Sequence, residues 1–338
     1  MVTQPSSPLS ASTKRHARNR YSALWRWIDC EAGGDATGDD ANRIDWLRTL
    51  PFVGLHLACL AVLWVGSSPT AVWIALGLYA IRMFAITGFY HRYFSHRAFR
   101  TSRPAQFVFA LLGASAVQRG PLWWASQHRH HHAHADDEQD AHSPSRHGLL
   151  WSHLGWFLSR ANFRTRSECV RDWARFPELR FLDRWDVLVP VLLACSLFLT
   201  GEILERAAPA LGTNGPQLLV WGFVISTVLL YHVTFTVNSL AHTLGSRRFA
   251  TRDDSRNNGV LALLTFGEGW HNNHHHYPGS ARQGFFWWEI DLTYYLLKLL
   301  ECAGIIWELK PVPPNVLGWR RCDRRNKGRP LAGNGRRP

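Results

Sequence analysis

Residues 71–96 read AVWIALGLYAIRMFAITGFYHRYFSH, an apolar stretch that runs straight into two histidines, His91 and His96. About 20 apolar residues suffice to cross a bilayer as a helix. The segment therefore predicts a membrane helix that delivers imidazoles at one end. Arg82 interrupts it, and a charge at membrane depth is costly unless it faces protein or a polar cavity. Two more clusters follow, His128-Arg-His-His131-His132 and His271-Asn-Asn-His274-His275. Both read HxxHH, a spacing that puts the first, fourth and fifth positions on one helix face. His128, His131 and His132 can converge while His130 points away; His271, His274 and His275 can converge while His276 does not. His91 and His96 lie roughly 140° apart on an ideal helix, so they suit one ion only where the helix emerges or changes direction. Imidazole serves iron, zinc, copper and nickel, and these eight histidines exceed what one tetrahedral zinc uses. The economical reading is a site for more than one metal, held just outside a bilayer. Solvent-facing histidine runs are the alternative, and the repeated HxxHH spacing argues against them.

Three more spans are predicted, over 49–67, 187–201 and 217–238, beside the one at 71–91. Residues 105–118 are apolar but too short to cross, and 285–307 carry Glu289, Asp291, Lys298 and Glu301 on an otherwise apolar stretch. An interfacial helix suits both. The fold class is an all-α integral membrane protein with four transmembrane helices. Residues 46–310 form the membrane domain, with a helical cap from 92–186 and 242–310 holding the histidines. Residues 1–45 read as a disordered basic arm without a cleavable signal peptide, and 311–338 as a basic flexible tail.

The 338 residues carry 38 Lys+Arg against 25 Asp+Glu, a net +13. Such a charge suits nucleic acid or an anionic membrane surface; the apolar spans decide for the bilayer and against nucleic acid. Four spans leave both termini and every histidine cluster on one side. The loop 202–215 on the other side is net −1, so the positive-inside rule places the termini and the clusters in the cytoplasm. The six cysteines contain no CxxC pair, which disfavours a cysteine zinc site. Cys59 and Cys195 read as small core residues.

Asn238 and His242, at the end of the last span, are i, i+4 on one face and join the site on the same membrane side. His134, His142, His147 and His153 have no ligand spacing, so solvated or supporting roles suit them. Metal-bound imidazoles need partners on the other ring nitrogen. Glu268, three residues before His271, is the best such candidate; Asp136, Asp137, Glu138 and Asp140 are either further partners or a solvated patch.

In the motifs HRYFSHR, WWASQHRHHH, SHLGW, NSLAH and GEGWHNNHHHYP, in that order, the chain resembles the membrane-bound fatty acyl desaturases, specifically the delta-9 acyl-CoA (stearoyl-CoA) branch and its bacterial relatives. The resemblance runs from about residue 70 to about 310. It implies four membrane helices under a cytosolic cap and two non-haem irons. The implied ligands are His91, His96, His128, His131, His132, His242, His271, His274 and His275, with Asn238 acting through a water. It also implies that Gln118 and Trp124 line the acyl tunnel and that Tyr79 and Met83 stand at its closed end. Ser126 and Gln127 stand where animal enzymes carry an Arg-Asp pair that helps hold the CoA headgroup, which leaves acyl-CoA, acyl-carrier protein and phospholipid open as the carrier. No HPGG haem segment is present, so electrons are expected from a separate ferredoxin, rubredoxin or cytochrome/reductase. The implied reaction uses O2 to introduce a cis double bond into a saturated acyl chain. Rival readings are a histidine-box hydroxylase or monooxygenase of alkyl or acyl chains and, in another class, a membrane metal-binding or transport protein.

Overall fold

A computed structural model describes residues 25–32 and 41–317. The elements that position the site are α1 (Trp46–Val65), α2 (Pro69–Ser95), α3 (Arg103–Ala114), α4 (Pro121–His134), α5 (Pro177–Arg184), α6 (Leu188–Ala207), α7 (Gly215–His242), α8 (His271–His276) and α9 (Leu292–Cys302). Among the described residues, α1, α2, α6 and α7 are long and apolar enough to cross a membrane. Their starts follow local rules. Ser68 and Ser102 accept from the Ala71 and Ala105 N–H groups, each followed by a proline in the first turn, and Asn214 caps α7 the same way. Gly66, at φ +65°, ends α1.

Burial separates the four. The apolar windows of α2 and α7 are 44% and 50% buried, those of α1 and α6 only 6% and 17%. The first pair forms the centre of the bundle and the second faces outward. At 27 and 28 residues, α2 and α7 run about 40 Å, beyond the ~30 Å of bilayer hydrocarbon. They therefore overshoot the spans expected at 71–91 and 217–238. Hydropathy stops where polar residues begin, but the helical backbone continues into the cap. That overshoot carries His242 to the top of α7 and continues α2 past His91 to Ser95.

Arg82 is buried midway along α2, and among the described residues it pairs with no carboxylate. Its guanidinium donates to Thr227 Oγ1 at 2.6 Å, to Ser226 Oγ and to the Leu78 carbonyl at 3.1 Å. A second polar feature descends beside α7: His56 Nε2 and His232 Nε2 are 3.1 Å apart, His232 Nδ1 and His153 Nε2 are 3.1 Å apart, and His153 Nδ1 is 3.0 Å from Ser239 Oγ. This ladder ties the thinly packed α1 to α7 and the cap. Interhelical hydrogen bonds of this kind are a normal adhesive between membrane helices.

The structure corrects three sequence expectations. Residues 25–32 and 41–45 are not part of a loose arm: Asp29 pairs with Arg184 at 2.7 Å, Trp27 Nε1 donates to the Leu47 carbonyl at 2.7 Å, and Arg160 N–H donates to the Arg43 carbonyl at 3.0 Å. Residues 1–24, 33–40 and 318–338, which hold the rest of the expected arm and most of the tail, lie outside the described residues. Residues 285–307 are not one amphipathic helix. Helix α9 covers only part, and Glu289 and Asp291 are fully buried, whereas Trp287 is 82% exposed. Those carboxylates look inward because they accept backbone N–H groups, Gln283 and Gly284 on Asp291 and Phe286 on Glu289. Cys59 is half-buried and Cys195 is exposed on an outward helix face, so neither is a core residue.

Candidate metal centre

From Ala85 to Ser95, α2 is wound with i→i+5 hydrogen bonds, a rare form found mostly at functional sites. The His96 N–H donates to the His91 carbonyl at 3.2 Å. The wider turn brings residues five apart onto one side, and the His91 and His96 rings lie 4.9 Å apart. Ideal helical geometry would have kept them apart.

Two imidazole cages result. His91, His96, His128, His132 and His274 form one; His131, His242, His271 and His275 form the other. The structure brings the six HxxHH side chains of the predicted faces together and divides them between the two cages. In α4 the i, i+4 pair His128 and His132 enters the five-imidazole cage while His131 enters the four-imidazole cage. In α8 the pair His271 and His275 enters the four-imidazole cage while His274 crosses to the other. His130 turns away to the Gln139 carbonyl, 3.0 Å from Nε2, and His276 stacks on Phe249 at 4.1 Å.

The distances inside the cages suit an ion. Nε2 atoms approach in pairs: His91–His274 at 3.0 Å, His96–His128 at 2.8 Å, His132–His274 at 2.9 Å and His242–His271 at 3.0 Å. Two donors at right angles, each about 2.1 Å from one ion, are about 3.0 Å apart. His131 Nδ1 lies 3.1 Å from Asp140 and His275 Nδ1 lies 3.0 Å from Asp253. A carboxylate only accepts, so both Nδ1 atoms carry the hydrogen. The two Nε2 atoms then face each other at 3.4 Å, close enough to share a proton or a metal ion, and against the opposing effect of burial Asp140 beside His131 raises that imidazole above its usual range. Burial holds His96, His128, His132, His271 and His274 well below the usual imidazole range and His275 at about 4, so they stay neutral and can ligate.

The outer partners are fixed in turn. His242 Nδ1 donates to Asp136 at 3.0 Å, and His91 Nδ1 to Glu268 at 2.5 Å. Burial alone would raise the Asp136 and Asp140 carboxyls; His242 and Ser143 on the first, and His131 on the second, outweigh it and hold both well below the carboxylate range. Asp136 and Asp140 are thus imidazole partners, while Asp137 holds only half-exposed His134 and Glu138 is exposed. His142 is buried against the His131 ring at 4.3 Å, and His147 lies 3.1 Å from the Asp140 carbonyl. Asp253, Gln283 and the Arg92–Asp291 pair were not legible in the sequence, since each meets its partner across a long stretch of chain.

A cavity of ≈ 430 Å³ runs past His91, His128, His131 and His271, with Gln118, Trp124, Met83 and Asn238 in its wall and Arg26, Arg48 and Arg119 among its residues. Gln118 is fixed by donating to Thr234 Oγ1 at 2.8 Å, and Trp124 stacks on His128 at 5.2 Å. Both neighbours of Gln118 are in the left-handed backbone region, Val117 at φ +61° and Arg119 at φ +71°. Such strain costs on the order of 1–3 kcal/mol and persists where surrounding contacts enforce it; Tyr231 Oη donates to the Val117 carbonyl at 2.6 Å. Tyr79 does not line the cavity. It shares a helix face with Met83, but its hydroxyl is committed to the Leu264 carbonyl at 2.8 Å and its ring packs on Phe266. Ser126 and Gln127 are buried, donating to the Trp123 carbonyl and accepting from Arg166 Nε at 3.0 Å.

The sequence pattern of the fatty acid desaturase family matches residues 67–300, which contain both cages. The chain belongs to that family. Among curated relatives of this desaturase, an acyl-CoA 5-desaturase of Anemone leveillei is 36% identical, over 82% of this chain and 86% of the relative. An sn-1 stearoyl-lipid 9-desaturase of Anabaena variabilis is 36% identical, over 79% of this chain and 94% of the relative. An sn-2 palmitoyl-lipid 9-desaturase of Nostoc sp. is also 36% identical, over 81% and 93%. The desaturase is an oxidoreductase of lipid metabolism with candidate membrane helices and histidine clusters that can hold metal.

Proposed function

We propose that the chain is an O2-dependent fatty acyl desaturase that introduces a cis double bond at C9 of a saturated chain, using a non-haem di-iron centre. The observation that carries this reading is the opening of both imidazole cages, through His91, His128, His131 and His271, onto one apolar cavity. Two irons in the cages would supply O2 activation and removal of hydrogen from two adjacent methylenes. The balance is one O2, two electrons and two protons consumed for two waters, the electrons coming from an external ferredoxin, rubredoxin or cytochrome/reductase. The protein's own part is position and dryness. Trp124 and Gln118 line the cavity beside the cages, its wall is mostly apolar, and Asn238 in that wall is proposed to act through a bound water. Of the arginines in the wall, Arg26 is paired with Asp45 and Arg119 with Asp186; Arg48 suits an anionic carrier, acyl-CoA in first place. The cap and both termini are proposed to face the cytoplasm.

Expression in a desaturase-deficient host tests the reading. A new fatty acid methyl ester with a Δ9 alkene and no added oxygen is expected; an alcohol would instead establish the hydroxylase reading. Purified enzyme should turn over acyl-CoA, and turnover of phospholipid alone would overturn that choice of carrier.

Met83 is fully buried and lines the cavity eight residues before His91, about 12 Å along a helix axis. As the stop for the methyl end, Met83→Ala should shift preference from C16 toward C18 or longer chains with iron content unchanged. Competition between C16 and C18 substrates measures this, and an unaltered ratio in folded, iron-replete protein rules the role out.

A further inference from the structure

The two cages differ in what stands behind them. In the four-imidazole cage, His131, His242 and His275 each donate Nδ1–H to a separate carboxylate: Asp140 at 3.1 Å, Asp136 at 3.0 Å and Asp253 at 3.0 Å. Among the described residues none of these three carboxylates meets Arg or Lys, so their charge is spent on the imidazoles. In the five-imidazole cage only His91 has such a partner, Glu268, and that charge is shared with Arg92 at 3.3 Å. Among the described residues one Nδ1 in each cage, that of His271 in the four-imidazole cage and that of His274 in the five-imidazole cage, has no hydrogen-bond partner.

We propose that Asp136, Asp140 and Asp253 make the two metal positions inequivalent: the ion in the four-imidazole cage is held more tightly, and more strongly in its oxidised state, than the ion in the five-imidazole cage. The inference rests on the two-ion reading above. A carboxylate behind a ligating histidine raises the basicity of the ligating nitrogen, and losing one such partner costs on the order of 10–100-fold in affinity. Three uncompensated negative charges also favour the higher ionic charge. The fifth imidazole of the other cage adds one neutral donor, which does not match them. Asp136, Asp140 and Asp253 act through the imidazoles and are positioning residues.

Asp136 offers the cleanest test. Its Oδ2 accepts from His242 and from the Asp254 N–H at 2.8 Å, and its Oδ1 accepts from the Ser143 hydroxyl at 2.5 Å. In Asp136→Asn the amide oxygen keeps the first two bonds, and the amide nitrogen donates to Ser143. The backbone there, at φ +61°, is one asparagine tolerates. The charge is removed while the geometry is kept.

The experiment uses full-length protein loaded with 57Fe, followed by Mössbauer spectroscopy during anaerobic reduction and by metal analysis during chelator treatment. Two spectrally distinct sites are expected, one reduced first and lost first. In Asp136→Asn, and in Asp253→Asn as a second variant, the late-leaving ion should leave on the order of 10–100-fold more readily. Glu268→Gln should loosen only the early one. Two ions that reduce and leave together, or an Asp136→Asn effect on the early ion alone, would overturn the proposal. Fewer than two ions per wild-type chain would overturn the two-ion reading and this inference with it.

Discussion

His131→Ala and His274→Ala are expected to abolish desaturation and lower bound iron, while His130→Ala and His276→Ala keep both near the wild-type level. His274 Nε2 stands 3.0 Å from His91 Nε2 and 2.9 Å from His132 Nε2, so its removal opens the five-imidazole cage at its centre. His131 belongs to the four-imidazole cage and is 3% exposed. Loss of a ligand should exceed the 10–100-fold that loss of an outer partner costs. His130 and His276 are neighbours in sequence with the same chemistry, but neither belongs to a cage. Iron per chain in each purified variant is the direct measurement. Equal loss in all four would mean that the boxes bind as unstructured histidine runs, contrary to the division of faces described above.

Arg92→Met should destabilise the protein by about 3–5 kcal/mol, the cost of breaking a buried ion pair from one side. Arg92 is 1% exposed; its Nη2 lies 2.9 Å from Asp291 Oδ1 and 3.3 Å from Glu268 Oε1, and its Nη1 donates to the Ala281 carbonyl at 2.8 Å. The substitution leaves two buried carboxylates without their shared cation and releases the 281–291 segment from α2. The matched control is Arg100→Met. Arg100 also pairs with a carboxylate, Glu308 at 2.9 Å, but the two side chains are 70% and 57% exposed. Exposed pairs contribute about 0–1 kcal/mol. Denaturant unfolding in detergent measures both, and equal destabilisation would refute the buried network as a determinant of the cap. A milder, Glu268-specific change should appear as well: without Arg92, Glu268 is held in place by His91 and Gln283 alone, the latter donating at 2.9 Å.

Much of this was readable from the chain. Four apolar stretches gave the bundle because helix length against bilayer thickness is one-dimensional information. The repeated HxxHH spacing selected His128, His131, His132, His271, His274 and His275, and rejected His130 and His276, because side-chain direction along a helix follows from sequence separation alone. Glu268 stands three residues before His271, but its partner is His91 on α2, so local spacing does not explain that contact.

Other features depend on groups far apart in sequence. Asp253 meets His275 across 22 residues, and Asp136 meets His242 across 106; either aspartate reads as a solvated loop residue until the cap folds over the central helices. The closeness of His91 and His96 required the wide winding of α2, which no ideal periodicity contains. Tyr79 was misplaced because a shared helix face does not say which side of the helix meets the cavity. Spacing determines which side chains share a face. Which cage each imidazole enters, and which carboxylates stand behind it, were decided only when α2, α4, α7 and α8 packed together, because one face can look onto two sites and a carboxylate selects its partner by distance in space.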